Sequence, residues 1–131
     1  MSAAPGDDAL LRGFEAGTLA ELHHRDHVRV AWLYLRREPL LRAVESFVSD
    51  LKRFAAAKGA PGLYHETLTF GFLFLVHERL GPPDEDFDSF ASRNPDLLAW
   101  KPSALDRYYH PETLASDRAR RRFVLPDRLS T

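Results

Sequence analysis

Hydrophobic positions recur along this chain at the three- and four-residue spacing of amphipathic helices. The repeat is clearest between Pro39 and Gly59, where leucine, valine and phenylalanine occupy one face and charged or small polar residues occupy the other. Proline is favoured in the first turn of a helix, and glycine is favoured just after its end. This segment therefore predicts a long helix that packs one face on a core.

Two helices are predicted before it. Residues 7–17 have the pattern of a short helix that ends near Gly17. Thr18 followed by Glu21 has the spacing of a capping box, in which each residue's side chain bonds to the other's backbone N–H. That pair predicts a second helix from Thr18 to about Arg37.

Residues 60–81 predict a fourth long element that is rich in phenylalanine and leucine. Its alternating Phe-Gly-Phe run at 70–72 would also suit a strand. A strand of this length would be unusual, so the pattern favours a buried helix. Shorter helical pieces follow after Pro95 and Pro102, and a last helix is predicted from His110 to Phe123.

Together these elements predict an all-α fold, a compact bundle of four main helices with shorter helices near the C-terminus. Residues 1–131 form one domain in this interpretation, and residues 1–6 are expected to be a flexible N-terminus. The chain of 131 residues, 44% of them hydrophobic, is long enough to bury one core.

Composition limits the function classes. Eighteen basic and nineteen acidic residues leave no net field that would favour nucleic acid or an anionic membrane. There is no cysteine, which excludes disulfides, thiolate metal sites and a thiol nucleophile. The N-terminus has no signal-peptide pattern, and no apolar run is long enough to span a membrane. We therefore expect a cytoplasmic protein without nucleic-acid or membrane partners.

Histidines are the main candidates for residues of a functional site. His23, His24 and His27 lie at the start of the second predicted helix, and His65 lies in the fourth. At roughly 100° per residue, His23 and His27 fall opposite an arginine stripe, with Tyr34 further along the same side. His65 falls among apolar residues of its own helix. We therefore expect imidazoles from two helices to face a shared interior site.

A metal site is the favoured interpretation of this cluster. His27 with His23 or His24 would supply two ligands from one helix, and His65 would supply a third. Glu66 would be a fourth ligand or a general base. Ligands of this kind suit divalent Zn, Fe, Mn, Ni or Cu. The sequence thus predicts a small metal-dependent hydrolase or lyase whose metal-bound water attacks a small-molecule substrate.

Other interpretations stay open. In a metal-free site, His27 and His65 would form an acid–base pair, with Tyr34, Tyr64 or Thr69 holding the substrate. In a structural or interaction protein, the same histidines would be satisfied inside the core. A non-catalytic binding protein would use an aromatic-lined pocket for a small ligand. Its walls would come from five aromatic residues: Trp32, Tyr34, Phe70, Phe72 and Phe74.

Arg29 and Trp32 lie on the arginine stripe of the second helix. We expect Arg29 to be solvated and paired with Asp26 or Glu21. Trp32 is either covered by another segment or marks a contact surface. The second alternative would make the protein a homodimer through this face.

The segments HHRDHVRVAWLYL and YHETLT, and more loosely RRRFVLPD, resemble a small family of uncharacterised bacterial helical proteins. The resemblance implies a compact helical protein in which His27, Tyr64, His65, Glu66 and Thr67 recur. It implies no particular activity.

Overall fold

The structure is a computed structural model, and it describes residues 5–128. Within this range the chain forms helices and connecting turns without any strand, which confirms the all-α class. The α-helices are α1 (Pro5–Ala16), α2 (His24–Arg37), α3 (Leu40–Ala57), α4 (Glu66–Glu78), α5 (Phe87–Arg93), α6 (Pro95–Leu98), α7 (Pro111–Leu114) and α8 (Asp117–Arg121). Two 3₁₀ turns lie at Pro61–Leu63 and Ala104–Arg107. The first four helices form the bundle, and the shorter ones follow it as predicted.

Helix α2 is the centre of the bundle. It packs against α1, α3, α4 and α6. Val28 and every residue from Val30 to Leu35 are buried. A helix that is covered on all sides has no solvent-exposed face along its buried part, so the predicted arginine stripe is not a continuous exposed face. Only its two ends expose charged side chains, which include Arg25, Arg36 and Arg37.

Helix α2 begins at His24, so the predicted start at Thr18 is wrong. The N–H of Thr18 instead donates to the carbonyl of Gly13, at 2.9 Å, and closes the end of α1. Gly17 has φ +70°, the left-handed conformation that commonly follows a helix and that glycine adopts at little cost. Thr18 therefore belongs to the termination of α1 and cannot also begin the next helix.

Helix α4 confirms the helical interpretation of the Phe-Gly-Phe segment. It begins at Glu66, several residues later than the pattern indicated, because Pro61–Leu63 forms a separate turn. Gly71 is buried at the point where α4 meets the second 3₁₀ turn. A Cβ atom at this position would lie 2.9 Å from the side chain of Leu105, so glycine permits this close approach.

The predicted last helix from His110 to Phe123 is divided into α7 and α8. Ser116 lies between them, and its hydroxyl accepts the N–H of Ala119 at 3.1 Å while donating to the carbonyl of Thr113 at 2.7 Å. Serine is a favoured N-cap because its oxygen satisfies a free N–H of the first turn. It therefore starts a new helix in the middle of the segment.

The N-terminus differs in part from expectation. Pro5 and Gly6 already belong to α1, whereas residues 1–4 of the predicted flexible segment lie outside the described residues. The buried apolar side chains of the main helices form one cluster. Between residues 5 and 128, no helix combines the length and apolarity needed to cross a lipid bilayer.

The part of the stripe around Trp32 is covered by α5. Trp32 is 1% exposed, and its ring packs 5.4 Å from that of Phe87 and 6.1 Å from that of Phe90. The alternative of a covering segment therefore holds, and Trp32 offers no surface to a second copy. Arg29 pairs with the buried Asp7 of α1 and not with the expected partners near its own helix start.

Candidate functional site

A cavity of about 650 Å³ lies between α2, α3 and α4. This volume falls within the ~300–1,000 Å³ range of small-molecule sites. Leucine, valine, alanine and phenylalanine side chains make most of its wall. The polar and charged lining residues are His24, His27, Lys58, Tyr64, His65 and Thr69. The cavity thus lies between the two helices that the sequence predicted to form the site, α2 and α4, and a third, α3, for which only a packing role was predicted.

The opening of the cavity is marked by its exposed lining residues. Leu63 is 78% exposed and Trp100 is 56% exposed, yet both line the cavity. Lys58, at the end of α3, is also exposed and contributes to the lining. Apolar side chains of this size at a rim give an apolar molecule a favourable route from water to the interior.

His27 faces this cavity from the first turn of α2. Its ring receives no hydrogen bond from residues 5–128 and donates none to them. The pKa of His27 is lowered from 6.5 to about 4, chiefly by burial and also by the neighbouring His24, while Asp26 opposes the shift. The imidazole is therefore neutral at physiological pH, with one N–H donor and one acceptor nitrogen.

His24 lines the same cavity but is partly engaged. Its Nε2 lies 2.8 Å from the carbonyl oxygen of Leu97 in α6. The ring is held between aromatic neighbours, 5.1 Å from Phe72 and 5.2 Å from Trp100 by centroid. His24 therefore ties the start of α2 to the segment that carries Trp100, and its Nδ1 takes no part in that bond.

His65 is the N-cap of α4 and is 8% exposed. Its Nδ1 accepts the N–H of Leu68 at 3.1 Å, and its Nε2 lies 2.8 Å from the carbonyl oxygen of Leu114. The first bond requires a bare Nδ1, which places the proton of a neutral ring on Nε2 as the donor to Leu114. Both nitrogens are thus occupied, although His65 is one of the residues that line the cavity.

The expectation that His23 faces the interior is wrong. Its side chain is 71% exposed and its Nε2 lies 3.1 Å from a carboxylate oxygen of Glu21. His23 precedes α2, so the helical spacing that placed it one turn below His27 does not apply. Its backbone N–H donates to Asp26 at 3.1 Å, which begins the helix.

Tyr34 does not line the cavity. Its hydroxyl donates to Asp50 of α3 at 2.6 Å, and its ring packs against Phe14 and Phe47. Burial, followed by this hydrogen bond, raises the pKa of Tyr34 above its ordinary value. Because α2 is covered on every side, a residue two turns beyond His27 meets α1 and α3 instead of the cavity.

Tyr64 and Thr69 line the cavity, whereas Glu66 does not. The hydroxyl of Tyr64 donates to Glu66 at 2.5 Å, and that of Thr69 donates to the carbonyl of His65 at 2.7 Å. Burial and the bond to Glu66 raise the pKa of Tyr64. These hydroxyls therefore already have acceptors at the start of α4.

The aromatic wall differs from the predicted one. Phe72 lines the cavity, but Phe70 and Phe74 pack against Phe123 on another face of α4, each with a centroid distance of 5.8 Å. The other aromatic walls are Phe47, Phe54, Tyr64 and Trp100. The sequence placed Phe47 and Phe54 on the buried face of α3, but no local signal distinguishes a core residue from a cavity wall.

The predicted metal set is not assembled. Within residues 5–128, no three His, Asp or Glu side chains lie where they could share one metal ion. His23 points to solvent and His65 is bonded to backbone groups, which leaves His24 and His27 as the imidazoles of one helix that line the cavity.

The chain matches no model of a protein family, no curated protein and no solved structure. The chemistry of the cavity therefore carries the functional conclusion.

Proposed function

We propose that this protein binds a small, largely apolar molecule in the cavity between α2, α3 and α4, with His27 as the polar contact that orients it. The observation that carries the proposal is a neutral imidazole without a hydrogen-bond partner in residues 5–128, facing about 650 Å³ of mainly apolar space. The ring of His27 is only partly buried, and its nitrogens are not sealed from solvent. A ligand that offers one hydrogen bond to His27 would supply the partner that residues 5–128 do not.

Binding is favoured over acid–base catalysis by the properties of the same ring. A general base works best when its pKa lies near the working pH. The pKa of His27, at about 4, lies well below neutrality, so the ring is a weak base. The proposed partner His65 has both nitrogens bonded to backbone groups.

A metal-dependent hydrolase or lyase is the second candidate. His24 and His27 lie three positions apart on one helix, both line the cavity, and neutral imidazole is the form that binds metals. This candidate requires further ligands from water or from the substrate.

Binding is tested with the neutral dye N-phenylnaphthylamine, which fluoresces more strongly in apolar surroundings. Ala55 lines the cavity and Ala56, its neighbour on α3, is exposed. We expect Ala55→Phe to fill the cavity and to weaken dye binding at least about tenfold, since excluding the dye forfeits the burial of its rings. Ala56→Phe is the matched control, and it should bind the dye like the unsubstituted protein.

Two results would overturn the proposal. One is the absence of saturable dye binding to the folded protein. The other is equal affinity in the two phenylalanine variants, because the dye would then bind outside the cavity. Thermal unfolding of each variant verifies that it is folded.

A further inference from the structure

One charged side chain lines the cavity among the described residues. It is Lys58, and within residues 5–128 no aspartate or glutamate side chain lines the cavity. The chain as a whole is balanced, with 18 basic and 19 acidic residues, so this local asymmetry does not follow from composition. Small-molecule sites use a few placed polar groups to select the ligand.

Lys58 is placed at the opening by the end of α3. It is the C-cap of that helix, and its Nζ lies 5.5 Å from the ring centroid of Phe54. Phe54 is 7% exposed and forms part of the cavity wall. The ammonium group therefore lies over an apolar wall, at the boundary between the cavity and water.

Asp26 and Glu66, which neighbour the cavity-lining His27 and His65 in the sequence, are bonded to groups other than Lys58. Asp26 accepts the backbone N–H of His23 at 3.1 Å, and Glu66 accepts the hydroxyl of Tyr64 at 2.5 Å. Lys58 forms no ion pair with any side chain of residues 5–128; its contact is the face of Phe54. The ammonium group is thus free to meet an anion at the opening.

We propose that the ligand is an amphipathic anion, an apolar body with one acidic group. This inference rests on the proposed binding function. The body lies against the phenylalanine walls and His27, and the acidic group lies at the rim beside Lys58, where water still reaches it. An acidic group deep in the cavity would lose its hydration beside a neutral imidazole, which makes the rim the favourable position.

The test compares two dyes with the same aromatic skeleton. N-phenylnaphthylamine is neutral, and anilinonaphthalene sulfonate adds one sulfonate. Lys58→Met removes the ammonium and keeps an apolar stem of similar length. Lys52→Met is the matched control, because Lys52 lies on the same helix over the ring of Tyr64 and does not line the cavity.

We expect Lys58→Met to weaken sulfonate binding about threefold to fivefold, as a partly exposed ion pair does, and to leave the affinity for the neutral dye unchanged. Added salt should weaken sulfonate binding in the unsubstituted protein and much less in Lys58→Met. Lys52→Met should change neither dye.

The outcomes separate the two proposals. If the neutral dye binds and Ala55→Phe blocks it, but Lys58→Met leaves sulfonate binding unaltered, the anionic ligand is wrong and the binding function stands. If Lys58→Met weakens both dyes equally, its side chain acts through packing and the anionic ligand is again wrong. If neither dye binds in the cavity, both proposals fail.

Discussion

The imidazole of His65 joins the start of α4 to the carbonyl of Leu114 in α7, 49 residues further along the chain, at 2.8 Å. Its second nitrogen accepts the N–H of Leu68, at 3.1 Å, in the first turn of α4. One buried ring thus satisfies a free donor of its own helix and fixes the position of a short C-terminal helix. This places His65 in the structure of the bundle more than in the chemistry of the cavity.

His65→Ala should therefore destabilise the protein by about 1–2 kcal/mol, because it leaves a partly buried N–H and a partly buried carbonyl without their partner. Urea unfolding measures the change. His77→Ala is the control, since His77 is exposed on the same helix and its removal should have little effect. A variant that is as stable as the unsubstituted protein but no longer binds the neutral dye would contradict the structural role.

The low pKa of His27 predicts a pH-dependent stability. The folded pKa is about 4 and the ordinary value is 6.5, so between these values the unfolded chain binds a proton that the folded chain does not. Stability should therefore fall as the pH falls from 6.5 towards 4, by up to about 3 kcal/mol.

The measurement is urea unfolding at several pH values from 7 to about 4.5, compared between the protein and His27→Leu. The leucine variant has no proton to bind at this position, so its stability should vary less across the window. It should also be more stable at neutral pH, because an unpartnered polar ring is replaced by an apolar side chain. Parallel pH curves for the two proteins would show that His27 is not the group responsible.

Tyr34→Phe tests whether Tyr34 contributes to the stability of the bundle or to binding in the cavity. The change removes the hydroxyl that donates to Asp50, whose other oxygen stays 2.9 Å from Arg53. We expect a loss of about 1.5 kcal/mol, as for a hydrogen bond to a charged group, and unchanged affinity for the neutral dye. A double-mutant cycle with Asp50→Asn measures the pair directly. If Tyr34→Phe were as stable as the unsubstituted protein but bound the neutral dye more weakly, Tyr34 would contribute to the cavity and this prediction would be wrong.

Metal binding is tested on protein purified without a histidine tag, by elemental analysis and by titration with Zn²⁺ and Ni²⁺. If the second candidate function is correct, uptake should be lost in His24→Ala and in His27→Ala, because these two rings share the cavity. His23→Ala is the control, since its side chain is 71% exposed. Metal content far below one equivalent, with no uptake on titration, would reject a metal-dependent enzyme.

Much of the fold could be predicted because its signals are local. Pro39 and Gly59 bound α3 closely, and Gly17 follows the end of α1. The misplaced start of α2 has a physical cause, because Thr18 suits a helix start and a helix end equally well until the carbonyl of Gly13 is known to accept its N–H. Ser116 is a similar case, because a serine within a helical pattern can lie inside one helix or cap a new one, and the local sequence does not distinguish the two.

The site was predicted less completely. The helical spacing of about 100° per residue placed His27 towards the interior, where it lines the cavity, but it placed His23 and Tyr34 there as well. It failed for His23 because that residue precedes the helix, and for Tyr34 because α2 is buried on several sides. Lys58 had no distinguishing signal, since an exposed lysine after a helix is ordinary.

The sequence by itself determined that this chain forms helices and, within a few residues, where most of them end, because those features depend on apolar spacing and on neighbouring proline and glycine. Only the tertiary structure decided which imidazole faces open space and which is held by distant backbone groups. The reason is that a histidine's role depends on its partners: those of His65 include a carbonyl 49 residues away, whereas His27 has none among residues 5–128 and faces a cavity built by three helices.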